Sequence, residues 1–294
     1  MCRPAERKLA GKYVRTFTLS GNTQLNKTKD VKNILIRKIY STWGRVTGYA
    51  MSLNGSVLTR NEKKLLSLKN IYRGRRGFII GNGPSLNKLD LNLLKDEITI
   101  GCNGIFMLFA QMNYLPTFYT VEDTLVAEDR AEMINKIRGI TKIFPYDLRY
   151  CLKSDPDTVF INFLRRYSGF PKFSTQGESL IYWGGTVTFM NMQLAHYLGI
   201  REVYLIGMDH NYKAPSKVDE QKGCVITSHS SDVNHFHPDY FGPGYRYHDP
   251  MVERMEVAYR KAKEAYEDNG GFIYNATSGG KLEVFDRVEF SSLF

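Results

Sequence analysis

From Gly77 onward, short unbroken apolar runs alternate with amphipathic stretches. "GFIIG" reads as a buried strand, "LDLNLLKDE" as a short helix and "ITIGCN" as a second strand ending at Asn103. "TFYTVED", Thr117 to Asp123, is a third strand, "TLVAEDRAEMINKIRG" is helical, "TKIFPYD" is a fourth strand and "TVFINFL" a further one. "GGTVTFMNMQLAHYLG" reads as a helix entered through glycines, and the apolar strand "EVYLIGMDHNY" follows it. A loop from Lys213 to Asp249 leads to the long helix "MVERMEVAYRKAKEAYEDNGG" and a last strand, "FIYNAT". Strands that are apolar throughout and alternate with helices indicate an α/β fold with a mostly parallel sheet covered on both faces. The Lys213–Asp249 segment is too long for a neutral connection, so a functional lid or loop is expected there.

The N-terminal quarter has a different pattern. In "VKNILIRKIYSTW", Val31, Leu35, Ile39 and Trp43 recur every four residues, with Lys32, Arg37 and Lys38 at other positions. This predicts a basic amphipathic helix whose apolar stripe packs on the body of the protein; the alternatives are that it rests on an anionic membrane surface or binds a partner protein. "TRNEKKLLSLKNIYRG" predicts a short helix with Thr59 or Asn61 as N-cap and Gly74 near its end. Residues 1–30 are polar and basic with little periodicity and are expected to be poorly ordered unless they dock. The chain thus divides into a basic, partly helical extension, residues 1–74, and a domain over residues 75–294.

Charge sharpens that division. The net charge is +10, but residues 1–76 hold 18 Lys and Arg against 3 Asp and Glu, whereas the remainder holds 22 against 27. A nucleic-acid-binding domain carries its positive patch on the folded body, so this distribution argues against that class. It suits a basic arm that meets a membrane surface, a glycolipid or an acidic partner. Cys2, Cys102, Cys151 and Cys224 are scattered and form no CxxC pair, and no signal peptide is evident. No apolar run approaches the roughly 20 residues that span a bilayer. The expected location is a reducing cytoplasm, with peripheral contact at the inner face of the membrane as an extension of that reading.

Candidate chemistry collects at strand ends, where open α/β sheets bind ligands. Asn82, Gly83, Pro84 and Ser85 follow the first strand, Asn103 the second, Glu122 and Asp123 the third, and Asp209, His210 and Asn211 the strand ending "GMD". Gly81 and Gly83 would let the backbone take positive φ or approach a ligand closely, and N–H groups at a following helix start favour an anion. The loop is neither GxGxxG nor GxxxxGK[ST], so a plain turn competes with a phosphate contact. Gly184, Gly185 and Thr186 open a helix toward the same edge. Asp209 suits ribose hydroxyls or a metal, and a helix-cap or turn aspartate is the alternative. His229, His235, His237 and His248 lie within twenty residues, beside Asp232, Asp239 and Asp249. "HFH" places His235 and His237 on one side of an extended segment, as for metal ligation, but no second spaced pair completes a zinc pattern. A proton-transferring histidine is the better reading, and ordinary loop histidines are the alternative. Tyr240, Tyr245, Arg246 and Tyr247 could stack on a ring or neutralise phosphate charge.

With those residues assembled, "FIIGNGPSL", "GGTVTFMNMQLAHYLGIREVYLIGMDHNY" and "YNATSGGKLEVF" resemble the MptE-like (6-hydroxymethylpterin diphosphokinase-like) family over about Arg75 to Phe285. The GNGPS opening and the glycine-started helix before a strand ending G-x-D are also similar to bacterial CMP-sialic-acid-dependent sialyltransferases. The resemblance implies a Rossmann-like nucleotide site. It places Asn82, Gly83, Pro84, Ser85, Asn103, Asp123, Gly185, Thr186 and Asp209 at a nucleotide, Tyr212 at the leaving phosphate, and His235 or His237 as catalytic base. The loop "HFHPDYFGPGYRYHD" departs from the sialyltransferase pattern, which leaves donor and acceptor open. The expected function is transfer of a sugar from a nucleotide-activated, CMP-linked donor to a surface-glycan or glycolipid acceptor, with no cofactor required. The alternative is a diphosphokinase using ATP and Mg²⁺, with Asp123 and Asp209 as metal carboxylates. A third reading is a non-catalytic nucleotide-binding protein of a glycan assembly. A homo-oligomer is compatible with each.

Overall fold

The computed structural model describes residues 23–54, 59–216 and 218–294. Eight parallel strands form the central sheet: β1 (Arg76–Ile80), β2 (Ile98–Cys102), β3 (Phe118–Thr120), β4 (Thr141–Pro145), β5 (Thr158–Ile161), β8 (Glu202–Ile206), β12 (Phe272–Asn275) and β13 (Asp286–Arg287), in the order β13-β12-β8-β1-β2-β3-β4-β5. The short pair β6 (Phe163–Leu164) and β7 (Ile181–Tyr182) lies apart from it. The chain winds outward from β1 to β5, then returns to place β8 on the other side of β1. That reversal opens a crevice between β1 and β8 at the carboxyl edge of the sheet.

The unbroken apolar strands serve two cores, because successive side chains point to opposite faces. Ile79, Ile100, Phe118, Ile143, Val203 and Leu205 join one core, with α5 (Val187–Tyr197), the inner face of α6 (Val252–Glu267), and Leu65 of α2 (Arg60–Ser67). Phe78, Ile80, Tyr119, Phe144, Tyr204 and Ile206 join the other, which is closed by short α3 (Thr124–Asp129), α4 (Ala131–Ile134) and 3-10 turns. All eleven residues of α5 are buried, which is why its sequence is apolar around its circumference. Helices therefore cover both faces, as the alternation predicts.

Several elements differ in detail from the sequence reading. "LDLNLLKDE" forms only a four-residue 3-10 helix at Leu91–Leu94, with Asp90 as its N-cap accepting from the Asn92 N–H at 3.0 Å. The helix expected after Asp123 breaks at Arg130, whose backbone leaves the helical region (φ −117°, ψ 11°) and whose side chain turns inward. Thr59, not Asn61, is the N-cap of α2, and its hydroxyl accepts from the Asn61 N–H. The Lys213–Asp249 segment carries a three-stranded antiparallel sheet of β9 (Glu220–Lys222), β10 (Val225–Thr227) and β11 (Arg246–His248).

The N-terminal helix α1 runs from Thr23 to Asn54, longer than predicted at both ends. The expectation for residues 1–22 lies outside the described residues. Its packing corrects the sequence reading. Val31, Leu35 and Ile39 face solvent, Trp43 lies at the edge of the contact beside Asn61, Tyr146 and Phe160, and the buried side is built from Gly44, Thr47, Gly48 and Met51. A Cβ on Gly48 would lie 2.1 Å from the Ser179 carbonyl oxygen, and one on Gly44 would lie 3.0 Å from Tyr146. Small residues let the helix axis approach the body closely, an interface that a search for large apolar residues overlooks. No described helix is long and apolar enough to cross a membrane.

Candidate functional site

The crevice between β1 and β8 is a cleft whose wall includes Gly81, Asn82, Gly83, Cys102, Asn103, Thr186, Thr188, Asp209, His210, Tyr212, His235 and Tyr240. Its floor is two strand-end loops laced together. The Gly81 and Gly83 N–H groups donate to the carbonyls of Ile206 and Gly207, at 2.8 and 2.9 Å. Asp209 then crosses to the β1 loop. Its carboxylate accepts from the Ser85 N–H at 3.2 Å and from the Ser85 hydroxyl at 2.6 Å. Pro84 occupies the first position of the 3-10 turn that begins there, where its missing N–H costs nothing.

The glycines serve this lacing. Gly83 has φ −71°, and neither it nor Gly81 is in the positive-φ region, contrary to expectation. A Cβ on Gly83 would lie 1.8 Å from Asp209 Oδ2, and one on Gly81 would lie 2.4 Å from the Gly207 carbonyl. Close approach, not left-handed backbone, is what demands glycine at both positions. The Ser85 N–H, expected to meet a phosphate, is already satisfied by Asp209. "YNATSGGK" has a similar role behind the site: Thr277 Oγ1 accepts from the Met208 N–H, and the Lys281 N–H donates to the Asp209 carbonyl.

Above the floor, Asn82 and Asn103 each have a buried side-chain carbonyl oxygen with no hydrogen-bond partner among the described residues. Asn103 and His210 both sit at φ 51°, a left-handed conformation that non-glycine residues rarely adopt. Such outliers cluster at ligand sites. The α5 N-terminus enters the same cleft, with Thr186 as N-cap accepting from the Thr188 N–H at 3.3 Å. Gly185, at φ 85°, makes the turn into that helix.

The lid brings His235 to the opposite wall. Its Nδ1 is 2.7 Å from Asp232 Oδ2, and its ring stacks on Tyr240 with centroids 4.0 Å apart and planes 4° apart. Burial raises the Asp232 carboxyl, but the His235 hydrogen bond and charge, with the Asn234 and Phe241 N–H groups, outweigh it and hold the group below the usual carboxylate range. A carboxylate on Nδ1 fixes the tautomer that carries its proton there, leaving Nε2 as the acceptor. Tyr240 is itself fixed: its hydroxyl accepts from the Gly104 N–H at 3.1 Å, and its carbonyl accepts from Arg130. His210 lies on the β8 side, its Nε2 3.4 Å from Glu256 without a hydrogen bond, and burial lowers its pKa.

Other expected residues lie elsewhere. His237 is not part of the cleft wall and accepts from the Asp239 N–H at 3.1 Å, so "HFH" does not converge on one metal. Asp123 caps α3 through the Leu125 N–H at 2.7 Å and pairs with His248 Nδ1 at 2.7 Å. It lies past β3, three strand positions from β8 and about 14 Å across the sheet by the usual strand spacing. Asp123 and Asp209 therefore do not form the paired carboxylates a shared magnesium ion would need. Among the described residues no group of three or more His, Cys, Asp or Glu is placed to hold a metal.

Sequence reasoning noted Asp232 but gave it no role; its i, i+3 spacing to His235 was the available signal. Arg130 gave none. It is 2% exposed and lies against the rings of Phe106, Tyr240, Phe241 and Tyr245, beneath the lid.

The MAf glycosyltransferase from Magnetospirillum magneticum AMB-1 is similar at a TM-score of 0.48 and 19% identity, over 84% of this chain and 41% of that one. The chain thus spans about two-fifths of that enzyme's length. No curated protein matches. The family model described as 6-hydroxymethylpterin diphosphokinase MptE-like matches residues 56–215, more than half of the chain and both loops that floor the cleft, and the protein belongs to the MptE-like family.

Proposed function

We propose that the protein is a transferase that moves a sugar from a nucleotide-activated donor, CMP-linked, to a hydroxyl of a surface-glycan acceptor. The observation that carries this reading is the Asp232–His235 pair on the wall of a cleft at the sheet's switch point. With Nδ1 held by Asp232, Nε2 is the group that takes the acceptor's proton as its oxygen attacks the sugar's anomeric carbon. The leaving nucleotide phosphate needs positive potential, which the α5 N-terminus at Thr186 and Thr188 supplies. The unpaired carbonyl oxygens of Asn82 and Asn103 suit hydroxyl or amino donors of the nucleoside. Tyr212 lines the cleft and is 40% exposed, which suits donation of its hydroxyl to the departing phosphate.

The second reading is the one the family description names, transfer of diphosphate to a hydroxymethylpterin. Its metal requirement falls on carboxylates that here serve Ser85 and His248, so the cleft favours sugar transfer. A thermal-shift panel of CMP, CDP, UDP, GDP and ATP, with and without Mg²⁺, separates the two. Stabilisation by CMP without metal is the expected result. Stabilisation only by ATP with Mg²⁺ sinks the sugar-transfer reading. His235→Ala is expected to lower turnover about 10²–10⁴-fold while leaving nucleotide binding intact; full activity in that variant refutes the base assignment.

A further inference from the structure

The helix α1 presents two opposite faces. At about 100° per residue, Leu35, Thr42, Val46, Tyr49 and Leu53 fall within about 40° of one line, and Gly44 and Met51 lie on the far side against the body. The outward line is exposed: Val31 is 67%, Leu35 60%, Ile39 59%, Tyr49 66% and Leu53 60% accessible. Lys32 lies on one flank of this stripe and Lys38 and Arg45 on the other, all three exposed. There is no acidic residue between Val31 and Asn54. The remaining basic residue of that stretch, Arg37, faces the body and meets Asp147 at 3.3 Å.

We propose that the outward face of α1 seats on the surface of an anionic lipid bilayer. An apolar stripe with cations on both flanks matches an interface where acyl chains lie beneath negative headgroups. A second copy fits less well, because pairing two such faces would bring Lys32, Lys38 and Arg45 against the same charges on the partner. The contact holds the body at the membrane in one orientation, since α1 is fixed to it through Gly44, Thr47 and Gly48. Its main contact is the Tyr146–Leu148 turn, which follows β4 and so lies on the same sheet edge as the cleft. The membrane contact does not depend on the reaction proposed for that cleft.

Flotation of the full chain with phosphatidylcholine vesicles, with and without about a third phosphatidylglycerol, tests it. Binding is expected only to the anionic vesicles and is expected to fall in about 1 M salt, where the Debye length is about 3 Å. Two triple variants change only exposed side chains. Lys32→Glu/Lys38→Glu/Arg45→Glu is expected to lower partitioning by at least about fivefold per residue. Leu35→Ser/Ile39→Ser/Leu53→Ser is expected to abolish flotation while the protein keeps its thermal unfolding profile. Absence of flotation with the anionic vesicles overturns the proposal, as does flotation of both variants equal to that of the native chain. A dimer by light scattering that the serine variant dissociates, in a protein that does not float, assigns the face to a second copy instead.

Discussion

At the scale of single residues, two close contacts define the site. The first is Asp232 on His235. Asp232→Asn keeps a similar shape but can donate to Nδ1, which favours the tautomer with its proton on Nε2 and removes the acceptor lone pair from the cleft. Turnover is expected to fall about 10²–10⁴-fold, no further than in His235→Ala, while the nucleotide-induced thermal shift stays unchanged. Combining it with His235→Ala should cost little more than the alanine alone, since the pair acts as a unit. A fully additive double mutant would show that Asp232 acts elsewhere. The second contact is Gly83 beneath Asp209. A methyl group at Gly83 would lie 1.8 Å from Asp209 Oδ2 and must displace the carboxylate from Ser85. Gly83→Ala is expected to destabilise by about 1–3 kcal/mol in urea unfolding. In an Asp209→Ala background the same change should cost much less, and an undiminished cost there would place the clash in the Gly207 backbone, 2.9 Å away.

At the scale of elements, the lid holds His235 in place and is anchored to α3 at two points. Arg246 pairs with Asp129 and Glu128, and His248 pairs with Asp123. The Asp123 hydrogen bond raises the His248 pKa above its ordinary 6.5, against burial; Glu122 adds to the rise and Arg165 opposes it. Burial raises Asp123, but His248 and two N–H groups bring it below its ordinary 3.8. The sign follows from each. The His248 contribution is complete below pH 6.5 and is lost as pH rises through its raised folded value; the Asp123 contribution is complete above pH 3.8 and is lost as pH falls through its lowered one. Hydrogen exchange of β11 is therefore expected to be slowest between pH 3.8 and 6.5, after correction for intrinsic rates, and to accelerate above it. His248→Phe should remove that pH response, and a variant that retains it would move the switch to another group. These anchors were invisible in sequence, where His248 and Asp123 are 125 positions apart. The sheet strands were legible because burial on both faces leaves them continuously apolar. β9, "EQK", was not, because all three of its residues are exposed and carry no hydrophobic signal.

At the scale of the whole molecule, the α/β class and the strand-end location of polar residues followed from pattern, but the cleft is a property of strand order. Ser85 and Asp209 meet only because β8 returns beside β1, and no local spacing encodes that return. The helix α1 shows a related limit: its large apolar residues dominated the periodicity, while glycines made the contact. Gly48→Val tests what that contact does. The added side chain begins 2.1 Å from the Ser179 carbonyl and 2.6 Å from Asn162, so the helix must lift from the body. Thr47 and Met51, both buried, would be exposed with it. Unfolding is expected to shift to lower urea, with the α1 amides exchanging well before those of the sheet. The cleft lies between β8 and β1, separated from the α1 contacts at the β4 and β5 end by β2 and β3. Ligand-induced stabilisation in the cleft should therefore survive in Gly48→Val. Loss of that stabilisation together with α1 would show that the extension and the nucleotide site fold as one cooperative unit rather than as a docked arm on an independent body.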